Sequence, residues 1–135
     1  MQTLRPFFLV VDIGFIVYWI ITGLSLIPGD YLFPDYHNVL LVTWNWSFFP
    51  LDIFISITGL SAIALYKRGA PSWRPLALIS LVLTFTSGLQ AIAFWVIQGW
   101  FDWGWWLPNL FLLIYPLFFI PGFVRDFSGK ADGAE

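Results

Sequence analysis

The sequence predicts an all-α membrane protein: a bundle of four transmembrane helices with both termini on the cytoplasmic side. Two observations carry this. The 135 residues are 59% hydrophobic and 21% aromatic, and only 10% are charged, against about 25% in an ordinary soluble domain. The six basic residues also fall where one threading puts them all on one face. Arg5 precedes the first apolar run, Lys67, Arg68 and Arg74 lie between the second and third, and Arg125 and Lys130 follow the fourth. The other two connections hold no Lys or Arg and carry Asp30, Asp35, Asp102 and the single histidine, His37. An excess of Lys and Arg in short loops marks the cytoplasmic side.

A spanning helix needs about 20 mostly apolar residues to cross a hydrocarbon core of about 30 Å. The first span is expected over 7–27, entered after Pro6 and stopped by Pro28-Gly29. It is not a cleavable signal, since it is long, contains Asp12 and lacks a small-residue cleavage site. The second, over 47–66, has Ser47 as N-cap and Pro50 in its first turn, where a missing N–H costs little. Lys67-Arg68-Gly69-Ala70-Pro71 ends it. The third runs over 75–98 and stops at Gly99. The fourth covers 108–124, and Pro116 and Pro121 inside it should bend it or open its backbone. Residues 1–126 thus form one transmembrane domain, and the polar, small-residue tail 127–135 is expected to be disordered.

The long connection over 28–45 carries Tyr31, Leu32, Phe33, Tyr36, Val39, Leu40 and Leu41, which suits the bilayer interface, and from about Asn38 it reads as an extension of the second helix. Trp44, Trp46, Trp100, Trp103, Trp105 and Trp106 gather at the basic-free side, and Trp73 lies at the other. Indoles populate both interfaces because they join an apolar body to a polar N–H. The excess on one side is either a thick girdle or the wall of a pocket opening outward. One short echo, Ile21-Thr22-Gly23-Leu24-Ser25 against Ile57-Thr58-Gly59-Leu60-Ser61, supplies small residues for close helix approach.

Polar groups inside the apolar runs are the candidate site, because they are costly there and rarely placed without use. Counting 1.5 Å per residue from the nearest basic residue puts Asp52 at roughly 22 Å depth, Gln90 and Asn109 at roughly 24 Å and Thr22 near roughly 25 Å. One polar side chain from each helix would share an outer layer, with Trp46 and Trp95 as aromatic neighbours. Asp12 falls in a second layer at roughly 10 Å, near Ser61 and Ser80 at about 9 Å. The outer layer is either a closed network of interhelical hydrogen bonds or a cavity in which Asp52 meets a cation, an amine or a proton. Asp12 reads more simply as an acid that snorkels to water or meets Arg5, Arg74 or Arg125.

Several chemistries are disfavoured. The chain has no cysteine, so it offers no disulfide scaffold and no thiolate metal site. With one histidine, and its single methionine at position 1, it lacks a pair of side-chain haem ligands, and no zinc-type cluster or glycine-rich phosphate loop is present. No cofactor, no metal and no nucleic-acid partner is expected, and no residue is assigned as catalytic. Dual-topology antiparallel exporters need balanced basic loops, which six against none does not provide.

At Asp12-Ile13-Gly14-Phe15, at Trp44-Asn45-Trp46-Ser47-Phe48-Phe49-Pro50-Leu51-Asp52, at Ser87-Gly88-Leu89-Gln90-Ala91-Ile92-Ala93-Phe94-Trp95 and at Pro108-Asn109-Leu110-Phe111-Leu112-Leu113-Ile114-Tyr115-Pro116, the chain resembles the YvaD-like proteins. These are uncharacterised four-helix proteins of the bacterial inner membrane, and the resemblance spans about positions 5 to 124. It implies a multi-pass bacterial inner-membrane protein and transfers no activity. The expected function is therefore small-ligand binding or a transport-like role, with an amphiphilic or cationic molecule in an outward-facing pocket around Asp52. The alternative is a non-catalytic accessory subunit or assembly factor of a larger membrane complex. A membrane enzyme acting on a lipid-soluble substrate ranks below both.

Overall fold

The computed structural model describes residues 1–26, 28 and 33–133, with the backbone alone at 131 and 132. Within them the regular structure is helical: α1 (Arg5–Gly23), α2 (Val39–Trp46), α3 (Phe48–Lys67), α4 (Trp73–Gln98) and α5 (Trp103–Asp132). Helices α2 and α3 meet at Ser47 and form one apolar length. Four segments are thus long and apolar enough to cross a membrane: Arg5–Gly23, Val39–Lys67, Trp73–Gln98 and Trp103–Lys130. The end of the first expected span and its Pro28-Gly29 stop fall partly outside the described residues, as do Asp30, Tyr31 and Leu32 of the connection.

The helix ends follow from local chemistry. Asn38 caps α2, its side-chain oxygen accepting from the Leu40 N–H at 3.0 Å while its amide donates to Asp35 at 3.0 Å. Ser47 does not act as the expected N-cap, because it is itself helical (φ −65°, ψ −20°) and its hydroxyl donates to the Trp44 carbonyl. Helix α3 ends where Gly69 takes φ +70°, with Ala70 N–H bonded to Leu65 O at 3.0 Å and Gly69 N–H to Tyr66 O at 3.0 Å. Gly99, at φ +72°, ends α4 with the same pair of bonds, the left-handed glycine closure of helices.

Helix α5 starts five residues before Pro108. Asp102 begins it, accepting from Trp106 N–H on its carbonyl at 2.8 Å and from Trp105 N–H on Oδ1 at 3.3 Å. The helix carries Pro108, Pro116 and Pro121 without interruption. It also continues through 127–132, where composition pointed to a disordered tail. Extending an existing helix fixes one residue per bond, which is far cheaper than nucleating a new one, and the Ser128 hydroxyl adds a bond to Val124 O at 3.0 Å.

Both the interior and the outer surface of the bundle are largely apolar. The buried stripes also carry polar and small residues, among them Asp12 and Thr22 on α1, Asp52, Ser56 and Gly59 on α3, and Ser80, Thr84, Ser87 and Gly88 on α4. The outer faces carry Val10, Ile97 and Phe118, which are 67%, 83% and 79% exposed. In lipid an exposed apolar side chain costs nothing, and small interfacial residues let backbones approach. That approach is closest at two glycines. A Cβ at Gly59 would fall on the Asp12 carboxylate, and one at Gly88 would lie 2.6 Å from the Leu113 nitrogen of α5.

Neighbours in the bundle are α1 with α3, α3 with α4, and α4 with α5. The ring between α5 and α1 is closed only toward the basic end, where Phe7 stacks on Tyr115 at 5.0 Å and on Phe111 at 5.9 Å and meets Phe119 edge-on at 5.4 Å. Leu4, Phe8, Val11, Ala62, Ile63, Ala77, Leu81, Leu112 and Tyr115 form the core there. At the tryptophan-rich end a second cluster joins Phe33 and Trp95 to Tyr36, Trp44, Trp100 and Trp105. Between the two, α1 and α5 stand apart.

Candidate functional site

The gap between α1 and α5 is a cleft of about 460 Å³, within the usual range of about 300–1,000 Å³ for small-molecule sites. Val10, Val11, Gly14, Phe15 and Tyr18 of α1 line one side, and Gly104, Trp105, Pro108, Asn109, Phe111 and Leu112 of α5 line the other. These positions recur every three or four residues, so each helix offers one continuous stripe. The back wall is Asn45, Phe48 and Asp52 from α2 and α3 with Ser87 and Ala91 from α4. Polar groups concentrate toward the tryptophan-rich end, and the rest of the wall is hydrocarbon.

Asp52 is the chemical centre of this wall. It is 4% exposed, its Oδ2 accepts from the Trp19 indole N–H at 2.9 Å and its Oδ1 from the Ser87 hydroxyl at 3.0 Å. Side chains from α1 and α4 therefore converge on one carboxyl group of α3. Trp19 is held in turn by Trp46 at 5.0 Å, Phe49 at 5.5 Å and Tyr18 at 5.0 Å between ring centres. A carboxylate can accept about four hydrogen bonds, so the Trp19 and Ser87 donors orient Asp52 without using all of its acceptor capacity, and Asp52 forms part of the cleft wall. Chemically, such an acid can accept from N–H donors or pair with positive charge.

The residues expected around Asp52 are distributed differently. Gln90 is exposed on the outside of α4 and does not join the layer. Its place is taken by Ser87, three residues earlier. Asn109 does line the cleft, but its amide donates to the Trp105 carbonyl of its own helix at 2.8 Å. Thr22 is 5% exposed, lies outside the lining, and its hydroxyl has no partner. Trp46 is 39% exposed and reaches Asp52 only through Trp19. Trp95 is 2% exposed within the aromatic cluster, against Trp100 at 4.6 Å and Trp44 at 5.8 Å, and does not line the cleft. Depth along the axis was the basis of the expected layer, and depth says nothing of which way a side chain points around the helix.

The second layer also rearranges. Asp12 is fully enclosed rather than snorkelling, and among the described residues neither of its carboxyl oxygens has a hydrogen-bond partner and no arginine meets it. It occupies the niche that the missing side chain of Gly59 leaves, and its backbone carbonyl accepts from Ser56 at 2.9 Å. Ser80 bonds to Ile55 O at 3.2 Å, joining α4 to α3. Ser61 is half-buried and bonds to neither. Trp19, Ser56 and Ser87 were missed by reasoning on sequence alone. The available signal was periodic: Ser56 lies four residues after Asp52, and Trp19 seven after Asp12, so each pair shares a helix face.

Among the described residues no group of three or more His, Cys, Asp or Glu side chains converges as a metal site. Residues 4–129 match the family described as "Family of unknown function (DUF5360)". The chain is 54% identical over 120 residues to the "Uncharacterized protein YvaD" of Bacillus subtilis (strain 168), a match that covers 89% of this chain and 90% of that protein. The resemblance carried by the Trp44–Asp52 run and its companions is thereby confirmed. No solved structure matches the chain.

Proposed function

The chain belongs to that family of unknown function, DUF5360, and we propose that it is a multi-pass bacterial membrane protein that binds a small cationic ligand at Asp52 in the α1–α5 cleft. The observation that supports this is the acid itself: a buried carboxyl oriented by Trp19 and Ser87, in the wall of an otherwise apolar cleft of ligand size. In the orientation proposed here, the end bearing Arg5, Lys67, Arg68, Arg74, Arg125 and Lys130 faces the cytoplasm of the bacterial inner membrane. The tryptophan-rich end and Asp52 then belong to the outer half of the bilayer.

The test is calorimetric titration of hexylamine into the protein in lipid nanodiscs, with empty nanodiscs subtracted. A hydrogen bond to a charged group contributes about 1.5–3 kcal/mol, so Asp52→Asn, which keeps shape and removes charge, should weaken binding by roughly 10- to 150-fold. Equal affinity in the two proteins would remove Asp52 from any binding role.

A further inference from the structure

The cleft does not end where its polar groups end. A smaller cavity of about 180 Å³, lined by Pro6, Phe7, Val10 and Phe111, adjoins it toward the basic end and shares Val10 and Phe111 with it. The smaller cavity has no polar side chain in its wall. Its flanks are open to the side of the bundle: Val10 is 67% and Phe111 41% exposed, and a side chain at Gly14 would meet nothing within 4 Å. In the opposite direction, Trp105 stands over the cleft, packed on Phe33 at 6.0 Å and on Trp44 and Trp95 at 6.3 Å. An apolar path thus leads from Asp52 sideways and down the α1–α5 seam.

The dimensions select the occupant. The nine residues from Trp19 to Val10 span about 14 Å of helix axis, a length that a single medium alkyl chain covers. A molecule with a cationic head and no tail would leave this seam unfilled.

We infer that the ligand is a single-chain alkylamine or a cation of the same shape, which enters from the lipid between α1 and α5 and lays its tail along their seam toward Phe7. This rests on the Asp52 reading above and adds the route and the chain. Charge complementarity places the head, because among the described residues the smaller cavity is lined by hydrocarbon and Asp52 is the one acid in the cleft wall.

Photocrosslinking tests it. The probe is dodecylamine carrying a diazirine at the far end of its chain, added to the full-length protein in nanodiscs, with adducts mapped by mass spectrometry. Adducts on Val10, Phe111 or Phe7 that fall at least tenfold in Asp52→Asn are expected. Val10→Trp, at an exposed position, should fill the seam and abolish the same adducts. Adducts that depend on Asp52 but lie at Gly104, Trp105 or other residues of the tryptophan-rich end would overturn the seam route and leave the Asp52 site standing. Adducts of equal yield in wild type and Asp52→Asn would be ordinary lipid contact and would overturn both.

Discussion

Replacing Gly59 with alanine tests the α1–α3 seam on which Asp12 and Asp52 both sit. The new Cβ would overlap Asp12 Oδ2 and lie 2.8 Å from its Cγ and 3.1 Å from its Oδ1. Reaching the 3.4 Å of ordinary contact at Cγ requires a retreat of about 0.6 Å, and more at the oxygen. Asp12 is 0% exposed, so it has no space to retreat into and α1 must move with it. Overpacking of this kind costs about 1–3 kcal/mol, while alanine in a helix interior recovers about 1 kcal/mol over glycine. Because the obstacle is enclosed, the upper part of the range applies, and a net loss of about 1–2 kcal/mol is expected. In an Asp12→Ala background the obstacle is gone and only the helical gain of about 1 kcal/mol remains. The pair should therefore couple by about 2–3 kcal/mol in a double-mutant cycle. Reversible unfolding in mixed detergent micelles, followed by circular dichroism, measures all four proteins. If Gly59→Ala has the same effect with and without Asp12, the niche is not what holds the two helices together.

Two further outcomes follow from the same geometry. Gly88→Ala places a Cβ against α5 backbone, at 2.6 Å from Leu113 N and 2.8 Å from Asn109 O. No rotamer change relieves this, so a loss of about 2 kcal/mol is expected in the same unfolding assay. Gly14→Ala, which meets nothing within 4 Å, should be neutral or gain up to about 1 kcal/mol; a similar loss at both sites would refute the packing argument. A fluorescent reporter fused at the C-terminus, of the kind that matures only in the cytoplasm, should light the whole population of cells. A dark or mixed population would reverse the orientation or show that the chain inserts both ways.

How much could be read in advance depends on which physical property sets each feature. The four apolar lengths, their basic flanks and the glycine stops at Gly69 and Gly99 are local, because hydrocarbon thickness and backbone conformation act on a segment before it packs. The rotational setting of each helix is not local. Asp52 was singled out from its cost in an apolar run alone, yet its partners are Trp19 and Ser87 rather than Thr22, Gln90 and Asn109. Every face of these helices is apolar enough for lipid, so periodicity barely marks an inward side, and only side-chain fit decides between Ser87 and Gln90, one turn apart.

The sequence by itself determined the class of molecule, the number of its apolar spans and the separation of its basic end from its tryptophan-rich end. Tertiary structure alone decided that α1 and α5 part along the middle of their length, that Asp52 lies in the wall of the gap, and that Asp12 is shut in beside Gly59. The reason is the same in each case. Transfer from water to lipid is a property of one segment, summed residue by residue. A cleft is a failure of two helices, far apart in sequence, to touch, and no single segment carries that information.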